Sequence, residues 1–184
     1  GSIRCQASLE ILTGLAARLG DRGQIAIHGI INRHAVRDFD AAVSAFGTIT
    51  YHGPYQYPDD LEQVYAGCDL VWAQDLWQRG GNSDWLLPNR IYEASWFGCP
   101  SVAVADTETG RRVASSGLGF TIDHATADAL ADLVRNLSLG DLRGASDRLL
   151  AMPDRSFQLV VEDVAKALTA LEADKQIRLR TLKQ

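Results

Sequence analysis

The stretch from Leu86 to Pro100, LLPNRIYEASWFGCP, places Arg90 and Glu93 within four residues of each other between two apolar runs. A guanidinium at such a place can grip a phosphate with two parallel N–H donors, and a carboxylate can accept from two neighbouring hydroxyls, as on a ribose. Pro88 and Asn89 mark a helix start just ahead of them, with Asn89 as the cap. The preceding loop, WQRGGNSDWLLP, contains glycines that let backbone approach a phosphate. Unpaired amides and the positive dipole end of such a helix favour an anion. The same spacing also fits a purely structural role, with Glu93 complementing the helix dipole and Arg90 solvated beside it.

Other residues offer fragments of the same chemistry. In TGRRVASSGLG, Gly110 makes a turn at a helix start with Arg111 beside it. GLGF lacks a third glycine and precedes a strand, so it is not a dinucleotide fingerprint. Arg4 sits where a first strand would turn into the first helix, a position that faces the ligand crevice in a doubly wound sheet; the alternative is an exposed terminal arginine. Tyr55, Tyr57 and Trp85 can stack on a base or sugar, whereas Trp72 and Trp96 in apolar runs read as core. His28 and His52 each precede a glycine at a strand end, and no histidine shares a spacing with carboxylates or cysteines. Asp106 closes VAVAD, where turn capping is the ordinary explanation. No GxSxG elbow or Ser-His-Asp order appears.

The elements that must position these residues follow from periodicity. Leu9, Leu12, Ala16 and Leu19 recur at helical spacing, with Ser8 as cap and Gly20 as stop. Then QIAIHG reads as strand, AVRDFDAAVSAFG as helix, TITYHG as strand, DDLEQVYAGC as helix capped near Asp59, and DLVWAQ as strand. After a loop from Leu76 to Leu87 come a helix over Asn89 to Phe97, strand SVAVAD, short helix ETGRRVASS and strand GFTID. Three helices close the chain, roughly Ala125 to Leu137, Gly140 to Ala151 and Ser156 to Leu171. This alternation predicts a Rossmann-like α/β domain, a mainly parallel sheet with helices on both faces. Because the pattern opens on a helix, the first strand is expected to be missing, Gly1 and Ser2 being either an appended remnant or its native end. The expected division is a domain over 1–172 and a tail over 173–184, the whole a fragment of a larger protein.

Composition bounds the function. The 184 residues, 46% hydrophobic and 22% charged, suffice for one globular core. A net charge of −5 gives no basic face for nucleic acid, so an anionic ligand must meet a local cluster of donors. Three cysteines without CxxC spacing argue against a disulfide framework or zinc site and fit a reducing cytoplasm. No apolar run approaches the roughly 20 residues that span a bilayer.

The segments YHGPYQYPDDLEQVYAGCDLVWAQD and LLPNRIYEASWFGCPSVAVADTETGRRVASSGLGFTID resemble the carboxyl-terminal half of GT-B glycosyltransferases, the family 4-like group, and are most similar to bacterial exopolysaccharide enzymes of the succinoglycan type. The resemblance runs from Arg4 to about Leu137, and the PNRIYE…FGCP block is its most specific part. It implies the donor-binding half of a GT-B fold, which holds a nucleoside diphosphate sugar, UDP-linked, for transfer to a lipid-linked or polysaccharide acceptor. Glu93 would hold the ribose, Asn89 and Arg90 would lie by the diphosphate, Arg4 would neutralise the leaving group and Tyr55 would meet the base. Arg4 and Arg90 are thus the catalytic candidates, with Glu93, Asn89, Tyr55, Arg111 and Asp84 on the donor. The family pattern has two glutamates separated by seven residues. Trp85 stands eight before Glu93 here, leaving neighbouring Asp84 as the candidate substitute. The resemblance further implies no metal or other cofactor, an amino-terminal acceptor domain outside this chain, peripheral membrane association of the full-length protein, and little turnover by this piece alone. Two alternatives stay open: a nucleotide-sugar epimerase of the same fold, and a non-catalytic Rossmann-like binding module.

Overall fold

A computed structural model of the chain describes residues 2–158, 161–166 and 168–169. The chain divides into two compact units between Ala151 and Met152. In the second, Asp154–Ser156 form a 3₁₀ turn and residues 161–166 are helical; the tail expected over 173–184 lies outside the described residues. The first unit carries every candidate residue.

A strand does precede the first helix. β1 (Ser2–Ile3) pairs in parallel with β3 (Ile30–Ile31), which corrects the expectation that the chain opens on a helix. Two residues are too few to show a period of two, so neither strand leaves a readable pattern. β2 (Ile25–His28) pairs in parallel with β4 (Ile49–Gly53), and only Gly29 separates β2 from β3. The Gly29 amide donates to the Gly53 carbonyl at 2.8 Å while the register shifts. One run of chain therefore serves β4 with its first half and β1 with its second. A second parallel group has the order β5 (Val71–Trp72), β6 (Ser101–Val104), β7 (Gly119–Ile122).

The helix α1 (Gln6–Leu19) buries Leu9, Ile11, Leu15, Ala16 and Leu19. It serves two clusters. Ile11, Leu15 and Leu19 join Val102, Val104 and Ile122 of the second strand group and Leu130 and Ala131 of α7 (Ala127–Asn136). Leu9 and Ala16 join Ile27, Ile49 and Phe39, the last from α2 (Phe39–Ser44). The cap of α1 is Cys5, whose Sγ accepts from the Ser8 amide at 3.4 Å, and not Ser8 as expected. The helix starts earlier because it follows directly on β1, and the Ser8 hydroxyl instead accepts from Trp72 Nε1 at 3.1 Å.

A separate cluster under α3 (Leu61–Tyr65) and α5 (Arg90–Trp96) holds Leu61, Tyr65, Ala94 and Cys99. Successive strand residues point to opposite faces. Val71 packs against this cluster and Trp72 against the α1 cluster, so β5 is covered on both sides. A short helix, α4 (Asn82–Trp85), forms inside the segment expected to be loop, and α6 (Glu108–Ser115) and α8 (Leu139–Leu150) complete the unit. Backbone closeness requires Gly110, where a Cβ would lie 2.0 Å from the Val104 carbonyl oxygen. Among the described residues no helix is long and apolar enough to cross a membrane.

Candidate functional site

Parallel strands end on one side, and helix starts and loops gather there. Arg4 leaves β1 at that side, and its Nη2 lies 3.4 Å from Asp75 Oδ2 just past β5. The guanidinium sits over the Trp77 ring, 4.6 Å from its centroid, a cation–π arrangement. Asp75 is only 6% exposed, and its Oδ1 accepts from the Ser83 hydroxyl at 2.5 Å and from the Trp77 amide at 2.9 Å. Burial pushes the Asp75 carboxyl up, but the Ser83 hydroxyl, the Trp77 amide and the Arg4 guanidinium together outweigh it and hold the group below the ordinary carboxylate range.

Gln74 ties the ends of β5 and β6 together. Its buried side chain donates from Nε2 to the Asp75 carbonyl at 2.9 Å, while Oε1 accepts from the Val104 amide at 3.0 Å and lies 3.0 Å from the Thr107 hydroxyl. Thr107 in turn caps α6, accepting from the Gly110 amide at 3.0 Å.

A second group meets the same strand end. Arg90 Nη1 reaches the Trp72 carbonyl of β5 at 3.4 Å. Glu93, three residues along α5, accepts at Oε2 from the Tyr65 hydroxyl at 3.1 Å. Burial raises the Tyr65 phenol far above its usual range, the Glu93 charge and hydrogen bond add to the rise, and Arg90 opposes it. Tyr55 is raised in the same way, first by burial and then by Glu93, again with Arg90 opposing. Tyr55, Tyr65, Arg90 and Glu93 therefore share one electrostatic neighbourhood.

The remaining candidates are occupied elsewhere. Asn89 makes no side-chain cap bond; it is already in helical conformation, and its carbonyl accepts from the Tyr92 and Glu93 amides, so the turn begins at Pro88. Asp84 pairs with Arg79 at 2.8 Å and accepts from the Gly80 amide at 2.8 Å. Arg79 also pairs with Asp106 at 2.9 Å. Arg111 lies exposed on Glu108 at 3.1 Å and on the Asp106 carbonyl at 3.3 Å. None of these bonds joins Asp84 or Arg111 to Arg4, Arg90 or Glu93. Tyr57 and Trp85 are exposed. At the ends of β2 and β4 the His28 and His52 rings stack with centroids 4.5 Å apart, and burial, then the neighbouring ring, lowers His28 below its ordinary value.

Sequence reasoning missed Asp75, Ser83, Trp77, Gln74 and Tyr65. Asp75 had a signal, since it closes DLVWAQD as Asp106 closes VAVAD. Ser83 and Tyr65 had none, because nothing in their own neighbourhood records the partner they meet.

No family profile matches the chain. Over 149 residues, 81% of the chain, it is 31% identical to the succinoglycan biosynthesis protein ExoL of Rhizobium meliloti (strain 1021), of which it covers 37%. Two solved structures share the fold at 17% identity. The crystal structure of Anabaena Alr3699/HepE in complex with UDP and glucose superimposes with a TM-score of 0.66 over 92% of this chain and 47% of that one. AviGT4, a glycosyltransferase involved in avilamycin A biosynthesis, superimposes with a TM-score of 0.53 over 82% of this chain and 44% of that one. The chain thus spans less than half the length of each of these three proteins.

Proposed function

We propose that the chain is the donor-binding half of a GT-B-like glycosyltransferase, an enzyme that moves a sugar from a nucleoside diphosphate, UDP, to a lipid-linked or polysaccharide acceptor in exopolysaccharide synthesis. The observation that carries this reading is the meeting of two arginines and one glutamate at the carboxyl end of β5: Arg4 through Asp75, Arg90 through the Trp72 carbonyl, and Glu93 beside Arg90 on α5. The name of ExoL and the UDP and glucose bound to HepE support the chemistry.

Glu93, held at one oxygen by Tyr65, keeps acceptor capacity for the ribose hydroxyls. Arg4 and Arg90 take up the charge that grows on the diphosphate as its bond to the anomeric carbon breaks, which is stabilisation of a leaving group by fixed cations. Tyr55 borders the base. The acceptor and the base that deprotonates it belong to the other half of the protein, working in the cytoplasm at the inner face of the membrane. The 184-residue chain then binds UDP without appreciable turnover.

Calorimetric titration with UDP tests the reading. Binding is expected, and Glu93→Ala should weaken it roughly thirtyfold, about 2 kcal/mol for charge-assisted hydrogen bonds to two hydroxyls. No heat at millimolar UDP, or an unchanged affinity in Glu93→Ala, sinks it.

A further inference from the structure

Asp75 is an awkward neighbour for a cation meant to bind an anion, because its charge subtracts from that of Arg4. A buried acid at a crevice also invites a role as general base. Three donors already engage it, at 2.5 Å from Ser83, 2.9 Å from Trp77 and 3.4 Å from Arg4, and they occupy most of its acceptor sites. Donors that favour the charged form also make it a weaker proton acceptor, which points to a role other than general base.

The arrangement of exposure resolves the conflict of charge. The Asp75 side chain is 8% exposed and that of Arg4 39%, so the carboxylate stands behind the guanidinium and the cation faces the crevice. Oδ1 is pinned by Ser83 and by the Trp77 amide, which leaves Oδ2 aimed at Arg4. Ser83 is itself fixed, since its hydroxyl accepts from the Gln78 amide at 2.8 Å. Beneath the guanidinium plane lies the Trp77 ring. A long, flexible side chain is thus held at one edge and on one face, with the other donors of its planar fork unspent.

We propose that Asp75, fixed by Ser83, is a positioning residue that holds the Arg4 guanidinium ready for the diphosphate of the donor. The proposal rests on the donor-site reading above and adds to it the residues that orient its cation. Ordering Arg4 before the ligand arrives removes a cost that a free arginine would meet on binding. The exposed edge of the fork then meets the ligand with its donors already oriented.

The test is a double-mutant cycle on the 184-residue chain with UDP and inorganic pyrophosphate as probes, together with ¹⁵N spectra of arginine side chains. Asp75→Asn keeps the size of the group and an acceptor for Ser83 and Trp77 but removes the charge facing Arg4. It should weaken UDP about tenfold in the native background and less than twofold in Arg4→Ala, as expected of residues acting through one network. Ser83→Ala should act in the same direction, about threefold. Without ligand, the Arg4 guanidinium, assigned from Arg4→Lys, should rotate more slowly in the native chain than in Asp75→Asn. Equal losses in both backgrounds, or an Arg4 signal unchanged by Asp75→Asn, overturn the positioning role. A native chain that binds neither probe overturns the donor site, while the Arg4 spectra still decide whether Asp75 orders the side chain.

Discussion

Arg4 and Glu93 each carry a charge at the same strand end, and each is steadied by a side chain from another element, yet the two are anchored by opposite means. Behind Arg4 stands a buried carboxylate that is itself held by Ser83 and the Trp77 amide. Behind Glu93 stands a buried but neutral phenol, Tyr65. A half-exposed ion pair such as Arg4–Asp75 contributes about 1 kcal/mol or less by itself, so its charge serves orientation more than stability. Glu93 accepts from a neutral hydroxyl, so its support brings no second charge, and on the proposed reading its remaining acceptor capacity is what would meet the ribose.

The Arg4 anchor is tied through Gln74 and Thr107 to the start of α6, and the largest effect comes from breaking that. Gly110 packs so closely on β6 that a Cβ would meet the Val104 oxygen at 2.0 Å and its carbon at 2.6 Å, both backbone atoms that cannot swing away. Gly110→Ala should cost about 3 kcal/mol or more in urea unfolding. Because Thr107, Gln74 and Asp75 are bonded in series from that helix start, the Arg4 end should suffer with the fold. A variant of native stability would show that α6 can slide, and would separate the Arg4 anchor from that helix.

The parts of this arrangement that were legible in the sequence are those made by near neighbours. The 3.6-residue period gave α1 and α5, the strand-helix alternation gave the parallel sheet, and Arg90 with Glu93 were visible as one helix turn. Arg4 was placed by topology, through the rule that loops after parallel strands face the crevice. The anchors were not legible, since Arg4 meets Asp75 across 71 residues and Tyr65 meets Glu93 across 28. A pair that far apart leaves no spacing to read. Local competition explains the cap of α1: Ser8 has the right chemistry, but a helix capped at Cys5 leaves it inside the first turn, whereas Asn89 does stand at the cap position of α5, in helical conformation and without a side-chain cap bond.

Acid separates the two anchors at intermediate cost. The folded Asp75 carboxyl titrates below its ordinary 3.8, so the stability it supplies is complete above that pH and is lost as pH falls through the lowered folded value. Asp75→Asn should therefore be about 1–2 kcal/mol less stable than the native chain at pH 7, the cost of weakening buried charge-assisted hydrogen bonds. Urea midpoints measured toward pH 2 should show that gap closing below 3.8. A gap that persists at low pH would mean that the charge of Asp75 is not what stabilises the chain.

The Glu93 anchor should respond at the other end of the pH scale and by less. Tyr65→Phe removes one hydrogen bond to a half-buried carboxylate, which is expected to cost about 0.5–1 kcal/mol at pH 7 and to weaken UDP by under fivefold, well short of Glu93→Ala. The phenol is raised above its ordinary 10.0, chiefly by burial and then by Glu93. A tyrosine raised on folding gives stability that is complete below its unfolded value and is lost as pH rises toward the folded one. The native chain should therefore lose stability above pH 10.0 faster than Tyr65→Phe, and the two should converge in alkaline urea titrations. If Tyr65→Phe instead weakens UDP as much as Glu93→Ala does, the phenol is not a bystander holding one oxygen. The carboxylate would then depend on its anchor for orientation as Arg4 depends on Asp75, and the contrast between a charged and a neutral support would collapse into a single rule for both ends of the site.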